Sequence, residues 1–250
     1  MLELKNIYKT FNPGTINEKR ALNGLNLKLN EGDFVTVIGG NGAGKSTMLN
    51  AVAGTWPVDE GQILIDNIDV TKLSEHKRAT YLGRVFQDPM TGTAATMGIE
   101  ENLALAKRRG KSRLLRSGIT KAEREEYKEL LKILGLGLED RLTSKVGLLS
   151  GGQRQALTLL MATLQKPKLL LLDEHTAALD PKTAAKVLEI TDMIVNRDHL
   201  TTLMITHNMK DAIAHGNRLI MMMEGKIILD IQGEERKNLT VKKVKCKVIK

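Results

Sequence analysis

Residues Gly39 to Ser46 read GGNGAGKS and match the pattern G-x-x-x-x-G-K-[S/T]. The apolar run from Phe34 to Ile38 precedes this segment and predicts a buried strand, and the segment from Ser46 to Ala53 predicts a helix. Glycines let backbone N–H groups wrap around a phosphate, and a helix N-terminus adds partial positive charge. We therefore predict a phosphate-binding loop composed of Gly39, Gly40, Asn41, Gly42, Ala43, Gly44, Lys45, Ser46 and Thr47.

Two side chains of this loop have separate predicted roles. Lys45 supplies a positive charge for the β- and γ-phosphates of a nucleotide, and the Ser46 hydroxyl supplies a ligand for Mg²⁺. ATP and Mg²⁺ are therefore the expected ligands. The alternative is a glycine-rich turn with a solvated lysine, which the flanking strand and helix disfavour.

A second stretch supplies the carboxylates that such a loop needs. The run Leu169 to Leu172 predicts a buried strand, and Asp173 follows at its carboxyl end, where ligands bind in open parallel sheets. We predict that Asp173 holds Mg²⁺. Glu174 is expected on the opposite face of the strand, because side chains alternate. There it is a candidate general base for an attacking water, with helix capping as its alternative role.

The chain changes its pattern twice. Alternation over Ala21 to Asn30 predicts an antiparallel strand near the start. From about Thr93 to Gln165, apolar residues recur at three- and four-residue spacing, which predicts helices. From Lys168 to Met223, strands alternate with helices, one of them capped by Asp180, which predicts a parallel sheet. The predicted class is α/β with an antiparallel N-terminal part and a helical insertion.

The segment Leu149, Ser150, Gly151, Gly152 and Gln153 resembles the signature of ATP-binding cassette (ABC) proteins. A serine-glycine-glycine turn that opens a helix is a second phosphate cradle, and one chain cannot place two cradles on one nucleotide. In the family, two subunits pack head to tail. The resemblance therefore implies a second copy as partner, with each ATP between the phosphate loop of one copy and the signature of the other. A plain helix N-cap is the alternative.

The resemblance extends over most of the chain and implies the domain layout. It implies a P-loop NTPase fold, in which an ABC ATPase core carries an N-terminal antiparallel β subdomain and an inserted α-helical subdomain. Residues 1–235 then form one ABC ATPase domain. Its core with the β subdomain comprises 1–92 and 166–235, its helical subdomain comprises 93–165, and 236–250 form a basic C-terminal tail.

Three more positions match sites of the family. Gln87 resembles the glutamine that contacts Mg²⁺ and water, Asp180 lies in a segment like the D-loop, and His207 resembles the switch histidine at the γ-phosphate. Surface or structural roles are the alternatives. The resemblance thus implies catalytic roles for Glu174, His207, Lys45 and Gln87, and metal binding by Ser46, Gln87 and Asp173.

The remaining ligand position is aromatic. Phe11 resembles the residue that stacks on adenine, with Tyr8 as the competing candidate and core packing as the alternative role of Phe11. The chain departs from the family at His175, because most cassettes have proline after the glutamate.

The composition excludes several structural classes of protein. The 250 residues are 42% hydrophobic and 27% charged, which is ordinary for a globular protein and excludes disordered and fibrous classes. The single cysteine, Cys246, cannot form an internal disulfide, which fits a reducing compartment. No stretch approaches the roughly 18 apolar residues that span a bilayer, so other chains are expected to supply any spanning part.

The net charge of +9 is concentrated in the segments Lys107 to Arg116 and Arg236 to Lys250. The first segment predicts either a solvated helical face or a contact with anionic lipid. The positive charge is also typical of a cassette protein that binds nucleic acid. The chain has neither the long coiled coil nor the second cassette of such proteins, so no nucleic acid partner is expected.

Four segments resemble ATPases of tryptophan/tyrosine-type uptake systems: Asn12 to Thr15, Phe86 to Met90, Gly92 to Thr96 and Asp173 to Thr176. This implies an ATP-hydrolysing subunit of a multi-subunit bacterial importer of an amino acid or other small molecule, in the cytoplasm on the inner face of the cell membrane. Implied partners are permease subunits, which Asp88 to Thr96 would contact, and an extracellular substrate-binding protein. An exporter ATPase and a non-hydrolysing regulatory module are the alternatives.

Overall fold

The structure, a computed structural model, describes residues 1–111 and 118–242. Its strands are β1 (Leu2–Phe11), β2 (Lys19–Leu29), β3 (Phe34–Gly39), β4 (Glu60–Ile65), β5 (Ile68–Asp69), β6 (Leu82–Val85), β7 (Leu169–Asp173), β8 (Thr202–Ile205), β9 (Arg218–Met223) and β10 (Lys226–Gln232). Its helices are α1 (Lys45–Ala53), α2 (Glu75–Arg78), α3 (Ile99–Lys107), α4 (Lys121–Lys132), α5 (Gly151–Thr163), α6 (Pro181–Asp198), α7 (Met209–Ala214) and α8 (Gly233–Lys237).

A six-stranded sheet positions the loops that carry the predicted site. Its strand order is β10-β9-β3-β8-β7-β6, and β9, β3, β8, β7 and β6 run parallel. The carboxyl ends of β3, β8, β7 and β6 therefore lie at one edge. The phosphate loop, His207, Asp173 and Gln87 follow these four ends in that order.

The N-terminal strands form a second, antiparallel sheet with the order β2-β1-β4-β5. Leu25 and Ile63 from this sheet are fully buried with Met48 and Leu49 of α1 and with Leu171 of the parallel sheet. One apolar cluster thus fixes the helix that follows the phosphate loop against both sheets. The α/β class with an antiparallel β part is confirmed.

The helical insertion shares a core with the parallel sheet. Leu103 of α3, Tyr127 of α4 and Leu157 of α5 are buried in one cluster with Leu170 and Leu172 of β7. Burial raises the pKa of the Tyr127 phenol to about 12. Within the described ranges, no helix combines the length and the apolarity that a bilayer crossing requires.

Three strands, β5, β6 and β10, were not predicted from the sequence. β6 was not predicted, because its four residues include Gly83 and Arg84 and carry too little apolar periodicity. β10 was not predicted either; it pairs antiparallel with β9. Alternate residues of β10 are exposed, as expected for an edge strand.

The fold continues past the predicted end of the domain at 235. The Arg236 guanidinium donates to the carbonyl oxygens of Ile213 at 3.0 Å and Ala212 at 3.1 Å, the last turn of α7. Leu239 is buried beside Leu219 and Ile231. Arg236 and Leu239 thus contact the core just beyond the boundary at 235 that the sequence predicts. Residues 243–250, with Cys246, lie outside the described residues.

Two cations of the first basic segment form ion pairs with carboxylates of α4. Lys107 pairs with Glu126 on α4. The Arg108 guanidinium lies 3.3 Å from the Glu123 carboxylate on the same helix. Both cations are partly exposed, and each is paired with a carboxylate of α4. Residues 112–117 lie outside the described residues.

Candidate functional site

The phosphate loop joins β3 to α1 through backbone that only glycine adopts without strain. Gly44 has φ 97°, and a Cβ on it would lie 2.5 Å from the Ala21 carbonyl oxygen. Lys45 is buried, and its Nζ donates to the carbonyl oxygens of Gly39 at 2.8 Å and Gly40 at 3.1 Å. These bonds hold the ammonium group inside the loop.

The loop opens on a cavity of about 280 Å³. Two cations, Lys19 and Lys45, lie at one part of its lining, and an aromatic ring and a carboxylate complete it. Cations and loop N–H groups suit phosphates, and an aromatic face suits a nucleobase. The lining residues are Phe11, Lys19, Ala21, Asn41, Gly42, Ala43, Gly44, Lys45, Ser46, Thr47 and Glu174.

The aromatic residue at the cavity is Phe11, and Tyr8 is turned to another neighbour. The Phe11 ring packs edge-on against Trp56, with centroids 5.1 Å apart, and Lys9 lies 5.7 Å from its centroid. The Tyr8 hydroxyl lies over Gly24, only 2.9 Å from where a Cβ would stand. The geometry therefore favours Phe11 over Tyr8 as the base-stacking candidate.

Glu174 reaches the cavity through a backbone turn after β7, not as the next residue of an extended strand. β7 ends at Asp173, and Glu174 has φ 46°, a left-handed conformation. Its N–H donates to the Ile205 carbonyl oxygen at 3.0 Å, and its Oε2 lies 3.4 Å from Nδ1 of His207. The expectation that Glu174 continues the strand was wrong, but the turn still brings it to the loop and to His207.

Asp173 has a neighbour that the sequence did not indicate. Its Oδ2 lies 3.7 Å from Nη2 of Arg84, which also donates to Asn50 on α1 at 2.7 Å. Burial raises the pKa of the Asp173 carboxyl, and the charge of Arg84 opposes that rise. A lone arginine in a short buried strand was the available signal for Arg84, because a buried cation needs a partner.

The residues predicted to hold Mg²⁺ supply the right atoms. Mg²⁺ is usually bound by one or two carboxylates together with water and substrate phosphates. The Asp173 carboxylate and the exposed Ser46 hydroxyl are such oxygen donors. Gln87 is exposed, two residues beyond the end of β6. Within 1–111 and 118–242, no group of three His, Cys, Asp or Glu residues is arranged to hold a metal ion.

The signature segment lies apart from this cavity. Ser150 caps α5: its Oγ accepts from the Gln153 N–H at 3.3 Å, and the Gln153 side chain accepts from the Ser150 N–H at 3.2 Å. Gly152 is buried, and a Cβ on it would lie 2.1 Å from Thr183 Cγ2 of α6. Leu149 is buried as well. Of the described residues that line the cavity, none belongs to Leu149–Gln153.

A buried arginine that the sequence analysis overlooked supports the signature. Arg154 is 8% exposed, and its guanidinium donates to the Val146, Gly147 and Leu149 carbonyl oxygens. It also contacts the sulfur of Met90. Arg154 thus ties the turn before the signature to the loop that follows Gln87.

Asp180 lies outside the cavity, at the start of α6. Its Oδ1 accepts from the Thr183 N–H at 3.1 Å, and hydrogen bonding by the side chain and the backbone of Thr183 lowers the pKa of the Asp180 carboxyl. The predicted N-cap at Asp180 and the proline after it at the first helical position are confirmed. Asp180 is exposed, so its side chain is open to contact from outside the chain.

Comparison with known proteins gives the following matches. Residues 22–177 match the family model described as "ABC transporter". The chain is 45% identical over 245 residues to a tyrosine transport ATP-binding protein of Clostridioides difficile, covering 98% of this chain and 97% of that protein. It is 34% identical to a spermidine/putrescine import ATP-binding protein of Haemophilus influenzae, covering 92% of this chain and 57% of that protein.

A solved structure has a similar fold. It is a dimeric ATP-binding cassette in a post-hydrolysis state, bound to ADP and Pi. The TM-score is 0.78 at 32% identity, and the match covers 93% of this chain and 98% of that one.

Proposed function

The chain belongs to the ABC transporter family, of which it is an ATP-binding ATPase subunit, and from this premise we propose that two copies clamp ATP head to tail and drive uptake of an aromatic amino acid. The observation that carries the proposal is the makeup of the cavity. The phosphate loop, Phe11 and Glu174 meet there without the signature, so one chain provides half of a closed site. A second copy would bring the other half.

Within that site we assign roles to the residues of this chain. Phe11 stacks on the adenine, and Lys45 and the loop N–H groups bind the phosphates. Ser46 and Asp173 would hold Mg²⁺ with Gln87 close by, and the metal would neutralise phosphate charge. Glu174 accepts the proton of the attacking water, and His207 contacts the terminal phosphate beside it. Exposed Asp180 and the signature, Leu149–Gln153, face the second copy.

The substrate and the partners follow from the relatives. The relative named for tyrosine transport aligns along almost its whole length, which supports an aromatic amino acid as the transported molecule. Another relative is named as an import protein, which supports uptake over export. We infer permease subunits that contact Asp88 to Thr96, an extracellular substrate-binding protein, and a position on the inner face of the membrane.

The test is Glu174→Gln. Its carboxamide keeps the size of the side chain but cannot accept the proton, so turnover should fall at least about a hundredfold while ATP still binds. The variant should then accumulate as an ATP-bound dimer on light-scattering chromatography. Glu60→Gln, at an exposed carboxylate on β4, is the control and should behave like the unaltered chain. Full turnover in Glu174→Gln, or a strictly monomeric ATP-bound form, rejects the proposed mechanism.

The transported molecule needs a separate experiment. Deleting the gene should abolish uptake of labelled tyrosine or tryptophan, and the unaltered chain, but not Glu174→Gln, should restore it. Unchanged uptake of both amino acids in the deletion strain rejects the substrate assignment and leaves the ATPase assignment standing.

A further inference from the structure

His175 is buried directly behind the proposed general base. It follows Glu174, is 1% exposed, and its Nε2 lies 3.1 Å from the Thr191 hydroxyl on α6. The Thr191 hydroxyl donates its own proton to the Val187 carbonyl oxygen at 2.8 Å, so it accepts from an Nε2–H of His175.

A second histidine connects the helix that follows His207 to α6. The short helix α7 begins just after His207, and Asn208 caps it. At the other end of α7, Nδ1 of His215 lies 2.6 Å from Oδ2 of Asp192 on α6. Arg236 donates to the last carbonyl oxygens of α7, so two side chains hold the carboxyl end of this helix.

Thr191 and Asp192 are neighbours on one turn of α6. The same helix packs through Thr183 against Gly152 of the signature segment, where no Cβ has room. Thus α6 contacts the signature helix near its start and is bonded to the supports of Glu174 and His207 further along. A displacement of α6 must therefore act on both residues of the hydrolysis site together.

We propose that His175 and His215 are positioning residues, which fix Glu174 and His207 to the same turn of α6 and so set the geometry for hydrolysis. The proposal rests on the proposed function, because it assigns a task to that site. His175 connects the catalytic turn to α6 by a bond that a proline at this position cannot make. His215 acts through α7 and holds His207 within reach of Glu174.

The test measures steady-state ATP hydrolysis by variants of the chain that lack the hydrogen bond between His175 and Thr191. Thr191→Val keeps the shape and removes the hydroxyl, and His175→Leu removes the ring. Each should lower kcat about tenfold to a hundredfold, as expected for a misplaced catalytic group, while KM for ATP stays within about twofold. His175→Gln places an amide N–H near the position of Nε2 and should recover most of the lost kcat. His215→Leu should lower kcat in the same way, and His215→Asn should recover it.

The matched control is Thr163→Val on α5. Thr163 is also buried, and its hydroxyl makes the same kind of bond to a carbonyl oxygen four residues earlier, here Leu159. It should leave kcat unchanged even if it lowers the melting temperature. If kcat is unchanged in Thr191→Val and His175→Leu, or if KM rises in parallel with the loss of kcat, the positioning role is wrong. Glu174→Gln is measured alongside, so loss of turnover there still supports the ATPase assignment when the positioning role fails.

Discussion

The phosphate loop and the signature segment both start a helix, but they present different chemistry there. α1 begins after Gly44 with no side-chain cap, so the first N–H groups of the helix face the cavity unmatched by a side chain. α5 begins after Ser150, whose hydroxyl and the Gln153 amide already satisfy each other's backbone groups. The first helix start is ready to receive an anion, whereas the second must exchange internal bonds for external ones.

This difference predicts an order of events. The loop of a single chain can bind the phosphates first, because nothing in the chain must be displaced except the bonds of Lys45 to Gly39 and Gly40. In the proposed head-to-tail pair, the signature would join only when a second copy presents it to a nucleotide already held. Closure of the pair is then conditional on the nucleotide, which is the behaviour a transport motor needs.

The largest expected effect comes from disabling the phosphate loop and the signature in separate variants. Lys45→Ala removes the cation for the phosphates and should reduce hydrolysis about a thousandfold with weaker ATP binding. Gly151→Asp places an anion at the exposed start of α5 and should block hydrolysis while ATP binding is kept. Phosphate release measures ATP hydrolysis, and titration with a fluorescent nucleotide measures ATP binding. Lys28→Ala, at an exposed lysine on β2, is the control.

Mixing these two inactive chains sharpens the comparison. In a head-to-tail pair with one chain of each kind, one of the two sites combines an intact loop with an intact signature. About a quarter of all sites are then intact in an equal mixture, and hydrolysis should recover to about that fraction. A mixture as inactive as its components would contradict the head-to-tail arrangement.

A smaller effect is expected where Phe11 would stack on the adenine base of ATP. Phe11→Ala should raise KM for ATP about five- to hundredfold, because stacking on a base contributes about 1–3 kcal/mol. Tyr8→Ala should change KM less than about twofold, since its hydroxyl lies over Gly24. Steady-state hydrolysis across ATP concentrations distinguishes them. If Tyr8→Ala has the larger effect, the assignment of the two aromatic residues is reversed.

The smallest effect is a dependence of stability on pH. The hydrogen bond and charge of Asp192 raise the pKa of His215, with Asp211 in support and Arg236 opposed. A raised folded-state pKa stabilises the fold below the unfolded value near 6.5, and this contribution is lost as pH rises through the folded value. His215→Asn should therefore cost more unfolding free energy at pH 6 than at pH 9, by less than about 1 kcal/mol for a partly exposed pair.

Urea unfolding at the two pH values measures this difference. His199→Asn is the matched control, because His199 is exposed with a left-handed backbone that asparagine also tolerates. An equal cost of His215→Asn at both pH values would show that the His215–Asp192 pair carries no ionic contribution.

The parts of the structure that the sequence predicted are those with a local signal. The phosphate loop, the buried strand before Asp173 and the helix capped by Asp180 each follow from a few neighbouring residues. The carboxyl ends of the strands then converge because the sheet is parallel, so the position of His207 follows from its place after β8.

The parts that the sequence did not predict depend on contacts between distant segments. Arg84 meets Asp173 only because β6 and β7 pair, and His175 meets Thr191 only because α6 folds back over the catalytic turn. The left-handed backbone of Glu174 has no local signal either, because this conformation is uncommon for residues other than glycine. Tertiary packing determines all three.

The close contact between Gly152 and Thr183 has a consequence for comparing such chains. A methyl group at position 152 would overlap the Thr183 side chain, so packing of two helices already demands glycine there. The same glycine would be retained by a relative that had lost all affinity for nucleotide. Retention of Gly152 in a relative therefore indicates that the two helices keep their spacing. Loss of the exposed Gly151 would instead indicate a change in ligand binding.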